Sequence, residues 1–208
     1  MNRRLRNTLL AAMVGIAAAL GGTPTAQAGL LVASASDCEE QTLERPFARW
    51  LDPLSYHLVP DGGFEQGAAG WTLSKAKVVD GNEPFYVHGA GERKSLSLPP
   101  GSVATSPVMC AGIHKPFMRF FAKSSGGLLS LSTLSVEVLF ETAGGQVLSL
   151  PVGLVLPNTK WQPSLPLPVL ASLLPLLPGE QTPIAFRFRP LGGATWTIDD
   201  VYLDPSRR

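Results

Sequence analysis

The sequence predicts an all-β protein built as an antiparallel β-sandwich, and three observations support this fold class. First, 21 Gly and 19 Pro among 208 residues leave little room for long helices. Second, several short stretches alternate apolar and polar residues with the period of a strand. Third, a turn followed by a strand occurs near each end, at 61–71 and at 192–203. Such ends are typical of a sandwich whose first and last strands lie side by side.

The predicted strands are short and are separated by turn residues, as in sandwiches and barrels. The clearest is 134–142, in which Val136, Val138 and Phe140 share one face. Gly144-Gly145 then predicts a hairpin turn before the chain returns. In chain order the predicted strands are 71–79, 84–88, 94–98, 102–110, 115–123, 134–142, 146–156, 184–189 and 194–203.

The first 28 residues have the pattern of a secretory signal peptide. Three arginines before position 7 precede an apolar run at 9–20, and Ala26-Gln27-Ala28 supplies a small-x-small cleavage site. The run is too short for a membrane anchor, which needs about 20 apolar residues. Cleavage is expected after Ala28, with Ala33-Ser34-Ala35 as a second match. The predicted organisation is a signal peptide at 1–28, an irregular lead-in at 29–57 and a β-sandwich at 58–208.

Charge and export together restrict the classes of partner. Without residues 1–28, Lys+Arg falls from 17 to 14 against 16 Asp+Glu, so the mature chain carries about −2. No basic cluster suited to nucleic acid remains. We therefore expect a secreted, extracellular protein that binds no nucleic acid and has no membrane span in its mature chain.

The two cysteines, Cys38 and Cys110, predict a disulfide, because an even count in an exported protein favours pairing. Closing a loop of about 70 residues stabilises a fold by about 4 kcal/mol in the chain-entropy model. The alternative, a reactive thiol, lacks a Cys-x-x-Cys motif.

The segment 163–178 consists almost entirely of Leu, Pro, Val, Ala and Ser. Its prolines exclude a membrane-spanning helix, although 169–174 is compatible with one or two helical turns after Pro168. One interpretation is an apolar loop or short helix that caps an open end of the sandwich. The other is a hydrophobic lid or an interaction surface.

Motifs for catalysis are missing from the sequence. It has no Gly-x-Ser-x-Gly, His-Glu-x-x-His or phosphate-binding glycine loop, and its three histidines lack metal-ligand spacing. Acidic residues are numerous enough for glycoside hydrolysis, yet nothing in the sequence selects a pair of them. We therefore predict no catalytic residue. The acidic candidates are Glu65, Glu83, Glu92, Glu137, Glu141, Asp199 and Asp200.

The two ends of the predicted sandwich each carry carboxylates beside a turn. Asp61 and Glu65 flank the first turn, and Asp200 lies in the last strand. Ca²⁺ takes oxygen ligands from carboxylates and from the carbonyls that turns supply. The sequence therefore predicts a metal site at Asp61, Glu65 and Asp200. The alternative is an Asx turn at Asp61 and an unrelated charge on an edge strand.

The same residues resemble a known family. The motifs Asp-Gly-Gly-Phe-Glu at 61–65, Gly-Trp at 70–71 and Trp-x-Ile-Asp-Asp-Val at 196–201 resemble the ends of carbohydrate-binding modules of families 4, 9 and 22. This resemblance implies a jelly-roll sandwich of galactose-binding-like type, with a structural Ca²⁺ held by Glu65 and Asp200. The motifs are also similar to those of secreted actinobacterial proteins, from about Cys38 to the C-terminus.

Sugar-binding faces use exposed aromatic rings with polar groups nearby. Tyr86 and Trp161 are the predicted ligand-binding residues, whereas Trp71 and Trp196 are expected in the core. The function predicted is a secreted, non-catalytic binding module for polysaccharide or cell-envelope glycan. The alternatives are a cell-surface structural or protein-interaction domain that uses 163–178, and an unrecognised hydrolase.

Overall fold

The computed structural model describes residues 42–112, 117–127, 130–141, 146–169 and 181–204. These residues form two antiparallel sheets that face each other. The seven-stranded sheet comprises β1 (His57–Leu58), β3 (Lys77–Asp80), β4 (Lys94–Leu98), β7 (Phe117–Ser124), β10 (Gln162–Pro163), β11 (Leu167–Pro168) and β13 (Trp196–Leu203). The six-stranded sheet comprises β2 (Thr72–Ser74), β5 (Val103–Thr105), β6 (Met109–Gly112), β8 (Thr133–Glu141), β9 (Val147–Val155) and β12 (Gln181–Leu191). The predicted all-β sandwich is confirmed.

The order of the strands places the last strand in the interior of its sheet. The seven-stranded sheet runs β10-β7-β13-β4-β3, with β1 also pairing β13 and β11 pairing β7. The six-stranded sheet runs β2-β5-β12-β8-β9, with β6 pairing β12. Among the described residues, helical structure is limited to 3-10 turns, at Ala48–Trp50 and at Ser130, and no helix there is long and apolar enough to cross a membrane.

The core lies between the two sheets and follows the alternation of the sequence. Val136 and Val138 of β8 and Phe186 of β12 point inward and are completely buried. Phe120 of β7 and Phe188 of β12 meet edge to face with their ring centroids 5.2 Å apart. Both Trp71 and Trp196 are buried in this core, as expected.

Three predicted strands differ from the structure. The stretch 71–79 forms two strands, β2 and β3, which belong to different sheets. Lys75, with φ 56°, lies between them and turns the chain from one sheet to the other. The stretch 84–88 is a loop, because the Glu83 carboxylate accepts the N–H groups of Phe85 and Val87 that a strand would use in its ladder. The stretch 102–110 is likewise divided, into β5 and β6.

The two ends of the sandwich lie side by side, which confirms that prediction. β1 pairs with β13, with His57 opposite Leu203. The contact continues past β1, where Val59 N–H donates to the Val201 carbonyl at 2.9 Å and Val201 N–H donates to the Gly62 carbonyl at 3.1 Å. The 61–65 turn is therefore fixed beside residues 200–201.

A second aromatic cluster covers part of the outer face of the seven-stranded sheet. Phe47 and Tyr56 of the lead-in pack on Phe121 of β7 and Tyr202 of β13, and all four are completely buried. We call this group the outer cluster. It shows how residues 42–56, although irregular, are bound to the sandwich.

An ion pair beneath the lead-in adds a polar anchor. Arg119 Nη1 of β7 donates to Asp52 Oδ2 at 2.7 Å, and the Tyr56 hydroxyl donates to the same oxygen at 2.7 Å. Arg119 also donates from Nε and Nη2 to the Ser164 carbonyl. Burial, with the Asp52 hydrogen bond, raises the pKa of Tyr56, so its hydroxyl remains a donor.

Several predictions fall on residues outside the described ranges. They include the signal peptide, Cys38 and hence the disulfide, and most of the 163–178 segment. Cys110 lies in β6 opposite Pro183 of β12. The described part of the Pro/Leu segment adds β10 and β11 to the edge of β7. The cap, the helical turns and the disulfide therefore stay predictions.

Candidate functional site

Asp200 occupies an irregular point of β13. Its φ is 47°, and the register with β7 shifts between Asp199 and Tyr202. Asp200 is completely buried, and neither of its carboxylate oxygens accepts a hydrogen bond from a donor within the described residues, while the Glu83 carboxyl lies close enough to share a proton with it. A buried carboxylate without a partner is costly. This residue therefore marks a position that a proton or a cation must complete.

Gly63 separates Asp200 from a second buried carboxylate. A Cβ placed on Gly63 would lie 2.9 Å from Glu92 Oε1 and 3.3 Å from Asp200 Oδ1. The missing side chain thus leaves a small space with a carboxylate oxygen on each of two sides. Sequence reasoning named Glu92 only among the acidic residues and did not select it as a ligand. Its position after Gly89-Ala90-Gly91 gave no signal that it folds onto the 61–65 turn.

The other two predicted ligands shape the surroundings of this space. Asp61 accepts backbone N–H groups on both oxygens, from Gln66 at 3.0 Å and from Ala69 at 2.7 Å. These bonds reach five and eight residues along the chain, whereas an Asx turn bonds the residue two ahead, so Asp61 orders the 61–69 loop without forming the Asx turn that the sequence allowed. Glu65 Oε1 accepts the N–H groups of Arg93 and Lys94 at 2.7 and 2.6 Å. These bonds fix the loop that carries Glu92 against the 61–65 turn and engage one of the two Glu65 oxygens.

Two further buried acids, Asp199 and Glu83, lie beside Asp200. Asp199 Oδ2 accepts the Glu83 N–H at 2.9 Å, and Oδ1 accepts the Asp200 N–H at 3.0 Å. Both residues are completely buried. Together with Asp200 and Glu92 they form what we call the acidic cluster.

The acidic cluster has strongly perturbed protonation. Burial raises the pKa of Asp200 to about 9, and the charge of Asp199 adds to the rise. Burial likewise raises the pKa of Asp199 to about 8, although its two backbone hydrogen bonds oppose the effect. The pKa of Glu92 is also raised by burial. Without a cation, Asp199 and Asp200 therefore both hold protons at neutral pH.

Side chains alone do not complete a metal site here. Within the described ranges, no three His, Cys, Asp or Glu side chains converge closely enough to hold an ion by themselves. Ca²⁺ also accepts backbone carbonyls and water as ligands, and the adjacent 61–63 turn is made of backbone. The unpartnered oxygens of Asp200 are therefore compatible with a cation whose remaining ligands come from that turn.

Trp161, the first predicted sugar-binding residue, lies on the outer face of the seven-stranded sheet. Lys123 Nζ lies over the Trp161 ring, 4.8 Å from its centroid, and the ring packs against the outer cluster. Asn158 fixes the residues on either side of Trp161, because its side chain accepts the Lys160 N–H and donates to Gln162. The ring is half-buried and positioned before any ligand arrives.

A row of polar side chains runs from Trp161 across the sheet. Lys123 lies opposite Thr197, Thr197 opposite Ser97, and Ser97 opposite Lys77. All four residues are at least partly exposed. Because strands lie about 4.8 Å apart, a row of four spans roughly 14 Å. We call Trp161 and these four residues the polar row.

Tyr86, the second predicted sugar-binding residue, belongs to the loop held by Glu83. It is 50% exposed and has φ 50°. Its neighbour Phe85 packs against the outer cluster, as Trp161 does. The structure therefore places the Tyr86 loop and Trp161 on the same face of the sheet.

Comparison with known proteins finds similarity in structure alone. No protein-family model matches the chain, and no curated protein matches its sequence. Solved structures do match. They include carbohydrate-binding modules of families 16, 22 and 61.

TmCBM61, solved with β-1,4-galactotriose, is 18% identical with a TM-score of 0.44, over 70% of this chain and 96% of its own. The CBM22-1–GH10 modules of Clostridium thermocellum xylanase 10B, solved with xylohexaose, are 13% identical with a TM-score of 0.49, over 73% and 29%. The enzymatically active domain of bacteriophage CBA120 tailspike protein 4 is 17% identical with a TM-score of 0.45, over 70% and 21%. This chain spans less than a third of the xylanase and tailspike chains.

These likenesses all have TM-scores below 0.5, so the ligand is inferred below from the surface of this chain. None of them tests the similarity to actinobacterial secreted proteins, which stays a prediction.

Proposed function

We propose that this protein is a secreted, non-catalytic module that binds glycan along the polar row. The observation that supports the proposal is the arrangement of a prepositioned indole at one end of a line of hydroxyl and ammonium groups. Aromatic faces stack on the apolar faces of sugar rings, and the polar groups hydrogen-bond their hydroxyls. A row of roughly 14 Å accommodates several linked sugars rather than one.

Burial argues against the hydrolase alternative. Glycoside hydrolysis needs two carboxyl groups that reach the scissile bond from opposite sides. The acids that converge in this structure are those of the acidic cluster, and all four are buried at 8% exposure or less. They cannot touch a polysaccharide without a rearrangement of the 61–65 turn. Their arrangement supports a structural role.

The protein-interaction alternative retains one supporting observation. Leu154, Leu156 and Leu165 are 58%, 65% and 80% exposed. Exposed apolar side chains favour a protein partner, whereas binding at the polar row requires Trp161. The experiment on Trp161 therefore separates the two functions.

Trp161→Ala is expected to weaken glycan binding about 30-fold. Removing a central aromatic anchor costs about 2 kcal/mol or more, which is about 30-fold in Kd. A glycan array with the full chain identifies the ligand, and calorimetric titration measures the variants. Leu154→Ala, a truncation on the other sheet, is the matched control and should bind like the wild type. A Trp161→Ala variant with unchanged affinity contradicts the proposal, and loss of binding in Leu154→Ala favours the apolar patch.

We further propose that a structural Ca²⁺ completes the acidic cluster. Asp200 and Glu92 supply carboxylate oxygens on either side of the Gly63 space, and the carbonyls of the 61–63 turn complete the ligand set. Glu65 holds the loop that carries Glu92 in place, and Asp61 orders the turn with both of its oxygens. The unpartnered oxygens of Asp200 support this assignment. When bound, the cation supplies the positive charge that the four buried acids lack.

Metal content tests this proposal directly. Protein desalted from a Ca²⁺-containing buffer is expected to retain about one calcium per chain by elemental analysis, and Asp200→Asn is expected to retain none. Asp80→Asn is the matched control, because Asp80 is an exposed acid paired with Lys94 at 2.6 Å. Equal calcium in wild type and Asp200→Asn, or no calcium in either, would show that the acidic cluster is completed by protons.

A further inference from the structure

The outer face of the six-stranded sheet, opposite the polar row, carries a charged group of its own. Arg187 and Arg189 of β12 both contact Glu137 of β8, with Nη1 to carboxylate distances of 3.4 and 3.2 Å. Two guanidinium groups share one carboxylate, so the group has a net charge of about +1. This charged group is not part of the polar row or of the acidic cluster.

Both arginines retain most of their hydrogen-bonding capacity. A guanidinium has five N–H donors, and each arginine engages one nitrogen with Glu137. No other hydrogen bond to either side chain occurs within the described part of the chain. The side chains of Arg187 and Arg189 are 31% and 46% exposed, so their remaining donors face a site that a ligand can reach.

A cleft of about 400 Å³ lies beside these arginines, and both of them line it. This volume is within the range of small-molecule sites. Ser102 also borders the cleft, but its Oγ is buried away from solvent, so a ligand in the cleft does not reach it. The charged donors in the cleft are therefore the two guanidinium groups.

The remaining residues that line the cleft are both polar and apolar, as binding of a sugar ring requires. Thr105 lies opposite Arg187 on β5 and adds a hydroxyl. Val103 and Leu191 supply apolar surface. An inorganic anion would use the donors and leave the apolar wall and most of the volume empty. A ring that bears a carboxylate uses all of them, because guanidinium groups bind carboxylates in a paired geometry.

We propose that this cleft binds the carboxylate of a uronic acid residue in an acidic glycan. The carboxylate accepts hydrogen bonds from Arg187 and Arg189 in competition with Glu137, Thr105 hydrogen-bonds a sugar hydroxyl, and the sugar ring lies against Val103 and Leu191. The site is separate from the polar row, since the two lie on the outer faces of different sheets.

Titration of the full chain with trigalacturonate and with its methyl ester tests the proposal, because the ester keeps the ring and removes the charge. The acid is expected to bind at least tenfold more tightly than the ester. Arg187→Gln and Arg189→Gln are each expected to weaken binding of the acid about tenfold. Glu137→Gln is expected to strengthen it several-fold, because the competing carboxylate is lost. Arg93→Gln removes an exposed charge on the other sheet and should have no effect.

The outcomes distinguish a uronic acid from a small inorganic anion as the ligand, and they distinguish binding at this cleft from binding at the polar row. Equal affinity for acid and ester, or wild-type binding by both arginine variants, overturns the proposal. Competition by inorganic sulfate as strong as that by trigalacturonate also overturns it, in favour of a small-anion site. If an arginine variant fails to fold, the Glu137→Gln variant still tests the proposal, because misfolding cannot increase the affinity for trigalacturonate. Trp161→Ala should leave trigalacturonate binding at this cleft intact, so failure of the polar row would leave this result standing.

Discussion

Removal of calcium by a chelator is expected to lower the melting temperature by about 5–10 °C at neutral pH, and by more at pH 9 than at pH 5. A ligand that binds only the folded state at a hundredfold excess over Kd stabilises it by about 2.7 kcal/mol. In a domain of 150–250 residues, each kcal/mol shifts the melting temperature by roughly 2–4 °C. The pH dependence follows from the protonation of Asp199 and Asp200.

The sign of that dependence is set by where the two carboxyl groups titrate. Their pKa values in the folded protein are about 8 and about 9, above about 3.9 for an unfolded aspartate. Between these limits the metal-free folded state binds more protons than the unfolded chain, so its stability falls as the pH rises from about 4 to about 9. Calcium binds the ionised form and removes most of this loss.

Thermal melts across this pH range, with calcium and with chelator, provide the measurement. Asp200→Asn keeps the shape of the side chain and cannot ionise. In chelator at pH 9 it is expected to be more stable than the wild type, and its melting temperature should not respond to calcium. A wild-type protein with the same pH dependence in calcium and in chelator would falsify the proposed site.

Sequence reasoning located strands with one outward face, such as most of β8, and also β7 and β13, which are largely buried on both faces. In β8, Val136 and Val138 face the core while Glu137 faces outward, so the alternation is visible in the sequence. The turns at the two ends were also informative, because β13 does pair beside the 61–65 turn. Local patterns were therefore sufficient for strands that run without interruption in one sheet.

The errors arose where long-range contacts decide the local structure. The stretch 71–79 has an unbroken strand-like composition, yet Lys75 has a positive φ and the chain changes sheets there. Non-glycine residues with positive φ are uncommon and have no reliable sequence signal. The loop at 84–88 depends on Glu83, whose carboxylate accepts the Phe85 and Val87 N–H groups.

The same difference between local patterns and long-range contacts applies to the candidate site. Asp200 was predicted as a ligand from its motif and Trp161 from its expected exposure, and both roles stay predictions. Glu92 was not selected, because its approach to Asp200 depends on Gly63 and on hydrogen bonds that reach Glu65 from residues 28 and 29 positions away. The acidic cluster joins residues more than 100 positions apart, as in the Glu83 to Asp199 bond. Spacing in one sequence carries no information on such pairs.

Asp52→Ala is expected to cost about 3–5 kcal/mol, because it leaves Arg119 buried without its partner. The two side chains are only 10% and 6% exposed, and they lie 2.7 Å apart. Arg119 also stacks over the Phe47 ring at 4.3 Å, so it cannot reach water without displacing the lead-in. The truncation therefore affects both the ion pair and the packing of residues 42–56 on the sheet.

The unfolding free energy in denaturant and the hydrogen exchange of residues 42–58 measure this effect separately. We expect the lead-in to lose protection first, since the ion pair is its polar anchor. The double variant Asp52→Leu, Arg119→Met serves as the control: replacing both charges with apolar groups removes the uncompensated cation and should recover most of the loss. A cost below about 1 kcal/mol for Asp52→Ala would mean that water already reaches Arg119 and that the aromatic rings alone hold the lead-in on the sheet. A double variant as unstable as Asp52→Ala would instead show that the geometry of the pair, rather than its charge balance, stabilises this face.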